Sequence, residues 1–181
     1  MQAEDIEAYL AELDQELQQR GIQQTIRILL IGGAFMLTQL HNRPSTSDVD
    51  ILFQGDVDPM TSPLYPSFKM AVRAVAKRHQ MPSNWLNDLV GDFLQGESRI
   101  PEGIVWRQYT VLVVSIPPQE YILALKLLAG RQKDRDDIEA LCQQLHIQTA
   151  HQAQQIIDRY IPNKQLQQVS DVAKTLDSLF P

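Results

Sequence analysis

The run "TIRILLIGG" at residues 25–33 sets the strongest constraint on this chain. Ile26, Ile28, Leu29, Leu30 and Ile31 have the apolar, partly β-branched composition of a buried strand, and Gly32 and Gly33 break it. "AFMLTQL" then has the composition of a short helix, and "NRPSTS" that of a loop. A second apolar run follows, "DVDILF" at 48–53, which reads as an adjacent strand. Side chains alternate along a strand, so Asp48 and Asp50 share one face while Val49, Ile51 and Phe53 serve the other. Two carboxylates that close repel each other, and partial burial worsens the repulsion.

A divalent cation removes that repulsion, and Mg²⁺ suits carboxylate oxygens while keeping waters and substrate phosphates in its shell. The alternative is a solvent-facing strand edge with two screened aspartates. The glycines also carry two readings. A strand, a Gly-Gly turn and a helix start leave backbone N–H groups free for a phosphate, or the pair is a plain tight turn. Phosphate and metal at one corner are what phosphoryl or nucleotidyl transfer needs.

The rest of the chain supplies the setting. Ile6, Leu10, Leu13 and Leu17 mark an amphipathic helix over residues 4–20, ending near Gly21. A proline-rich loop (Pro59, Pro63, Pro66) leads into a helix through "SFKMAVRAVAKRHQ". "SNWLNDLVGDFL" reads as a short helix with Ser83 as its N-cap. "GIVWRQYTVLVVSI" reads as one or two strands. Helices follow in "QEYILALKLLAG", in "DRDDIEALCQQL", at 149–160 and at 164–180. The expected fold class is mixed α/β (α+β), with a small sheet flanked by helices and a helical C-terminal third. At 181 residues with 44% hydrophobic content, one domain with a real core is expected.

Composition excludes several function classes. A net charge of −6 argues against nonspecific nucleic-acid capture by a basic surface. A lone Cys142 forms no internal disulfide and no multi-cysteine metal site. "MQAEDIEAYLAELDQEL" lacks a signal-peptide pattern and no apolar run spans a membrane, so the expectation is a soluble cytoplasmic protein. His41, His79, His146 and His151 show no paired metal-ligand spacing.

The order "GG", short helix, "R-x-S-T-x-D-x-D" and apolar tail resembles the nucleotidyltransferase superfamily, with its DNA polymerase β-like fold. "WLND" at 85–88, "YILALKLLAGRQKDRDDIEAL" at 121–141 and "IIDRYIP" resemble a bacterial nucleotidyltransferase-like subgroup, the DUF6036 type. The resemblance runs from about residue 28 to about 165. It implies a nucleotidyltransferase-like core over about 22–130 and a helical extension over about 131–181. It also implies phosphate contacts at Gly32 and Gly33, and Mg²⁺ (or Mn²⁺) at Asp48 and Asp50. The activity implied is transfer of a nucleoside monophosphate from an NTP to an acceptor hydroxyl on RNA, a protein or a small molecule. The alternative is a non-catalytic nucleotide- or partner-binding module, as in a toxin–antitoxin-type pair. One departure stands out: the superfamily's third carboxylate belongs on a later strand, and "TVLVVSI" carries only Ser115 as an interior polar residue. Asp88, Asp92 and Glu120 are the other acids considered for that place.

Two cations complete the candidate site. Arg43, in the loop before the aspartates, is a candidate phosphate contact, or else an exposed loop arginine. Lys126 shares a helical stripe with Ile122 and Ala129, so its amine either snorkels to water or reaches a phosphate or an aspartate. Asp134 and Asp137 read as N-cap and third-position acids of the next helix, or as members of the site. Lys69, Arg73 and Lys77 form a basic ridge, either solvated or able to hold an acidic acceptor. Trp85 reads as a core anchor, with Asn87 and Asp88 capping a helix or lining the cleft.

Overall fold

The computed structural model describes residues 1–55, 62–94 and 96–180, except the side chain of Asp92. Pro59 of the expected proline-rich loop lies outside the described residues. The chain forms two compact units, Met1–Asp92 with Gly103–Ile116, and Phe93–Glu102 with Pro117–Pro181.

In the first unit, α1 (Ala3–Gln19) precedes β1 (Ile26–Ile31). The chain then turns through α2 (Gly32–Phe35) and a π-helical turn, Met36–Leu40, into β2 (Val49–Gln54). Next come α3 (Tyr65–Arg78), β3 (Leu86–Asn87), α4 (Leu89–Leu94) at the unit boundary, β4 (Ile104–Gln108) and β5 (Leu112–Ile116). The strands form one mixed sheet in the order β3-β2-β1-β5-β4. β1 runs antiparallel to β2 and parallel to β5. Alternation splits the strands as expected. Ile28, Leu30, Val49, Ile51, Leu112 and Val114 enter a core with Leu10, Leu13 and Leu17 of α1 and Phe68, Val72 and Val75 of α3. This is a mixed α/β architecture.

One buried carboxylate ties α1 to the sheet. Asp14 lies on the apolar stripe of α1, four residues after Leu10, and is only 4% exposed. It accepts hydrogen bonds from the backbone N–H groups of Val111 (2.7 Å) and Leu112 (2.9 Å), and from Gln18 Nε2 (2.7 Å). Those N–H groups belong to the β4–β5 turn and the first residue of β5, where they would otherwise be buried without partners.

Two expectations need correction. Residues 83–88 are not helical: Trp85 O accepts from Val49 N (2.7 Å), and Leu86 and Asn87 pair with Val49 and Asp50 as a short edge strand. The open edge of β2 offered ladder bonds that a helix start at Ser83 would forgo. Trp85 is the expected core anchor, with its indole N–H donating to Val72 O at 3.0 Å. The expected helix over 164–180 is broken into two, Lys164–Val169 and Val172–Leu179, by Asp171, which takes a left-handed φ of +51°.

The second unit is helical: α5 (Gln119–Ala129), a 3₁₀ turn (Gln132–Asp134), α6 (Arg135–Gln144), α7 (Ala150–Tyr160), α8 (Lys164–Val169) and α9 (Val172–Leu179). α5 ends at Gly130 in the left-handed conformation, φ +57°. Tyr121, Leu123, Ala124 and Leu127 of α5 are fully buried, as are Leu141 of α6 and Ala153 and Ile157 of α7. Among the described residues no helix is long and apolar enough to cross a membrane.

Asp14→Ala should leave at least two buried N–H donors without acceptors. The expected loss is on the order of 2–4 kcal/mol in urea denaturation, with Asp14→Asn milder because it keeps one acceptor oxygen.

Candidate functional site

The glycine turn and the aspartate strand meet at one corner of the first unit. Ile31, the last residue of β1, stands opposite Asp50 in the antiparallel ladder. The chain then enters α2 through Gly32 at φ +64°, a left-handed conformation that favours glycine. A Cβ on Gly32 would lie 2.5 Å from Asp50 Oδ2, so the Asp50 carboxylate occupies the space a side chain there would need. Gly33 is confined from the other side, where a Cβ would sit 2.8 Å from Thr46 Oγ1 and 3.1 Å from an Arg43 guanidinium nitrogen. The N-cap residue of α2, Ile31, makes no side-chain capping bond. The π-helical turn that follows contains Thr38, whose hydroxyl donates to Ala34 O at 2.8 Å, and it ends at His41 in a left-handed conformation.

The loop that delivers the aspartates is held by short-range bonds. Thr46 is buried, and its hydroxyl donates to Asp48 O at 3.0 Å. Ser47 Oγ donates to Asp48 Oδ1 at 3.0 Å. Asp48 is half-buried and lies one residue before β2; Asp50, also half-buried, is the second residue of the strand. On the other side of Asp50, Asn87 of β3 is its ladder partner and is buried. Gly32, Gly33, Arg43, Asp50, Thr46 and Asn87 therefore converge, with Asp48 next to them along the chain.

Sequence reasoning reached the glycines, the aspartates and Arg43, and offered Asn87 as one of two possibilities. It passed over Thr46, although "S-T-x-D" put a hydroxyl two residues before the first acid.

Lys126 belongs to the helical unit. Its amine does not emerge: the residue is 6% exposed, and Nζ lies 2.8 Å from Asp134 Oδ1 and 2.6 Å from Asp137 Oδ2. All three belong to the helical unit, where the trio joins α5 to the start of α6. Asp134 does occupy the N-cap position of α6, but its side chain makes no capping bond. Asp136 is exposed in the first turn of α6, where an acid suits the helix start.

The other acids considered for a third carboxylate are accounted for differently. Asp88 pairs with Lys69 at 3.0 Å, which also takes the first member out of the expected basic ridge. The side chain of Asp92 lies outside the described residues, and Glu120 stands in the first turn of α5 in the helical unit. Cys142 is buried, and burial pushes its thiol up to about 11, so it is no nucleophile at neutral pH.

Among the described residues, no group of three His, Cys, Asp or Glu side chains is placed to share a metal ion. Asp48 and Asp50 are a donor set of two carboxylates. That fits a Mg²⁺ ion completed by substrate phosphates and water, and does not fit an all-protein cage. The chain matches no known protein family, no curated protein and no solved structure.

Lys126→Met should leave two buried carboxylates without their cation. We expect a loss of roughly 3–5 kcal/mol in chemical denaturation, with Lys126→Met/Asp134→Asn/Asp137→Asn recovering part of it.

Proposed function

We propose that this chain is a nucleotidyltransferase-like protein that binds an NTP with Mg²⁺ (or Mn²⁺) at the glycine corner. The reaction it serves is transfer of the nucleoside monophosphate to an acceptor hydroxyl. In that reaction a bond forms between the acceptor oxygen and the α-phosphorus, and the bond to the departing pyrophosphate breaks. The observation that carries this reading is the contact between Gly32 and the Asp50 carboxylate. A phosphate-sized anion at the start of α2 would lie beside a carboxylate there, an arrangement that a cation between the two would stabilise.

Each residue has a role in this reading. Asp48 and Asp50 would hold the ion, which when bound neutralises charge on the phosphates. The backbone N–H groups of Gly32 and Gly33 would receive the phosphates, while the missing Cβ atoms make room for Asp50 on one side and for Thr46 and Arg43 on the other. Arg43, beside Gly33, adds a fixed positive charge on the phosphate side. Thr46 and Ser47 hold the loop so that Asp48 keeps its position. Lys126 has no part, because its charge is spent on Asp134 and Asp137.

A second reading, a non-catalytic nucleotide-binding module of the toxin–antitoxin type, is favoured by Ser115. It is the only polar residue of β5, and it stands where a third carboxylate was expected.

Thermal unfolding with each NTP separates these readings from no binding at all. A nucleotide with Mg²⁺ at a hundredfold excess over Kd should raise Tm by about 5–10 °C. Asp48→Asn/Asp50→Asn should fold and lose the shift, and an unchanged shift would move the site elsewhere. Incubation with α-labelled NTP and cell RNA or protein then decides between transfer and binding: incorporated label supports the enzyme, and a Tm shift without incorporation supports the module.

A further inference from the structure

β4 is the outermost strand of the sheet and is bonded to β5 on one side only. Its other side offers backbone donors and acceptors to any further strand. Ile104 is 77% exposed and Val105 49% exposed. Consecutive strand residues point to opposite faces, so apolar surface is bare on both faces of this edge. Apolar edges of this kind pair with other chains, and proteins guard them with charges, prolines, bulges or covering segments. The opposite edge of the sheet is the two-residue β3, whose Leu86 and Asn87 are buried. β4 has neither lysine nor proline, and Arg107 is the one charge among its five residues.

Arg107 is folded back rather than extended into solvent. Its Nε and Nη2 donate to the two carboxylate oxygens of Glu7 on α1, at 2.8 and 2.7 Å. Nη1 donates to the backbone carbonyl of Trp106 at 2.9 Å, and the guanidinium carbon lies 4.5 Å from the Trp106 ring centroid. Just past the end of β4, the Tyr109 hydroxyl donates to the Glu7 carbonyl at 3.3 Å, which ties the chain there to the same turn of α1. The ladder to β5 slips between Val105 and Arg107, a bulge that bends the strand at the same place. Both members of the ion pair are partly exposed, and a pair in that setting adds little to stability. The occupied Trp106 carbonyl and the bulge interrupt the edge midway along β4.

We propose that the Arg107–Glu7 clasp is an autoinhibitory contact that keeps the β4 edges of two copies of this chain from pairing. The excluded partner is a second copy because two identical strands, run antiparallel about a two-fold axis, complement each other. Centred on Trp106, such a pair sets Ile104 of one copy opposite Gln108 of the other, and Val105 opposite Arg107. The two Arg107 side chains then share a face as diagonal neighbours, roughly 7–8 Å apart, where their like charges oppose the pairing. Nη1 also competes for the Trp106 carbonyl at the centre of that pair. With the clasp removed, the bare Ile104 and Val105 and the free ladder groups favour association. Only α1, β4 and β5 take part, so the clasp acts whether or not the glycine corner binds a nucleotide.

Sedimentation velocity of the full chain over a wide range of concentration tests this, with Arg107→Thr as the open-edge variant. Threonine removes the charge and the clasp while keeping a residue that suits a strand. The parent should sediment as a monomer throughout. Arg107→Thr should show a monomer–dimer equilibrium, with association roughly tenfold or more tighter than the parent's. Hydrogen exchange of that dimer should show new protection at the amides of residues 104–108. Ile104→Lys/Arg107→Thr returns a charge to the edge and should be monomeric again. A folded Arg107→Thr that stays monomeric overturns the proposal, as does a dimer without protection at 104–108. A parent that already dimerises through β4 overturns it too. So does an Arg107→Thr that unfolds or aggregates and is not recovered by adding Ile104→Lys.

Discussion

The contact between the Asp50 carboxylate and Gly32 fixes most of what surrounds it. A side chain at position 32 would collide with Asp50, and its left-handed φ of +64° is strained for any residue with a Cβ. Glycine there lets β1 turn into α2 directly beside β2. That turn brings backbone N–H groups, a carboxylate and, through Gly33, the Arg43 guanidinium to one corner. This gathering of opposite charges beside a helix start is what the proposed binding of an anionic ligand with a cation would use.

Two buried ionic clusters hold the scaffold, and they act differently. Asp14 serves neutral backbone donors, so it fixes the β4–β5 turn relative to α1 and helps set where β5 lies beside β1. Lys126 neutralises part of the charge of Asp134 and Asp137 and pins the α5–α6 corner in the helical unit. Both clusters cost desolvation; the Lys126 trio could be replaced as a whole by apolar groups without weakening folding, whereas the backbone donors that Asp14 serves would stay behind unpaired. The chemistry proposed at the glycine corner uses neither.

Much of the first unit was legible because period and composition agreed. The stripe of Ile6, Leu10, Leu13 and Leu17, the run ending at Gly32 and the alternation after Asp48 each belong to an element of the expected type. The pairing of Leu86 and Asn87 with β2 was not legible, since a two-residue strand depends on a neighbour's free edge and leaves no periodic trace. Asp14 was overlooked, although it sits at helical spacing from Leu10 on a stripe that is buried. Lys126 carried a readable warning: "YILALKLLA" is apolar on nearly every side, so its helix had little surface toward which a lysine could snorkel. Acids eight and eleven residues later, past a helix-ending glycine, were within reach but also fitted a capping role. Local rules had no means of choosing between the two.

The central claim is that the backbone of Gly32 and Gly33 receives the phosphates. Amide resonances of ¹⁵N-labelled protein, followed during titration with ATP and Mg²⁺, test it most directly. The account predicts that the largest shifts fall on Gly32 and Gly33, with Arg43 and residues 46–50 next. Saturable shifts centred on other residues, with the two glycine amides unmoved, would contradict it.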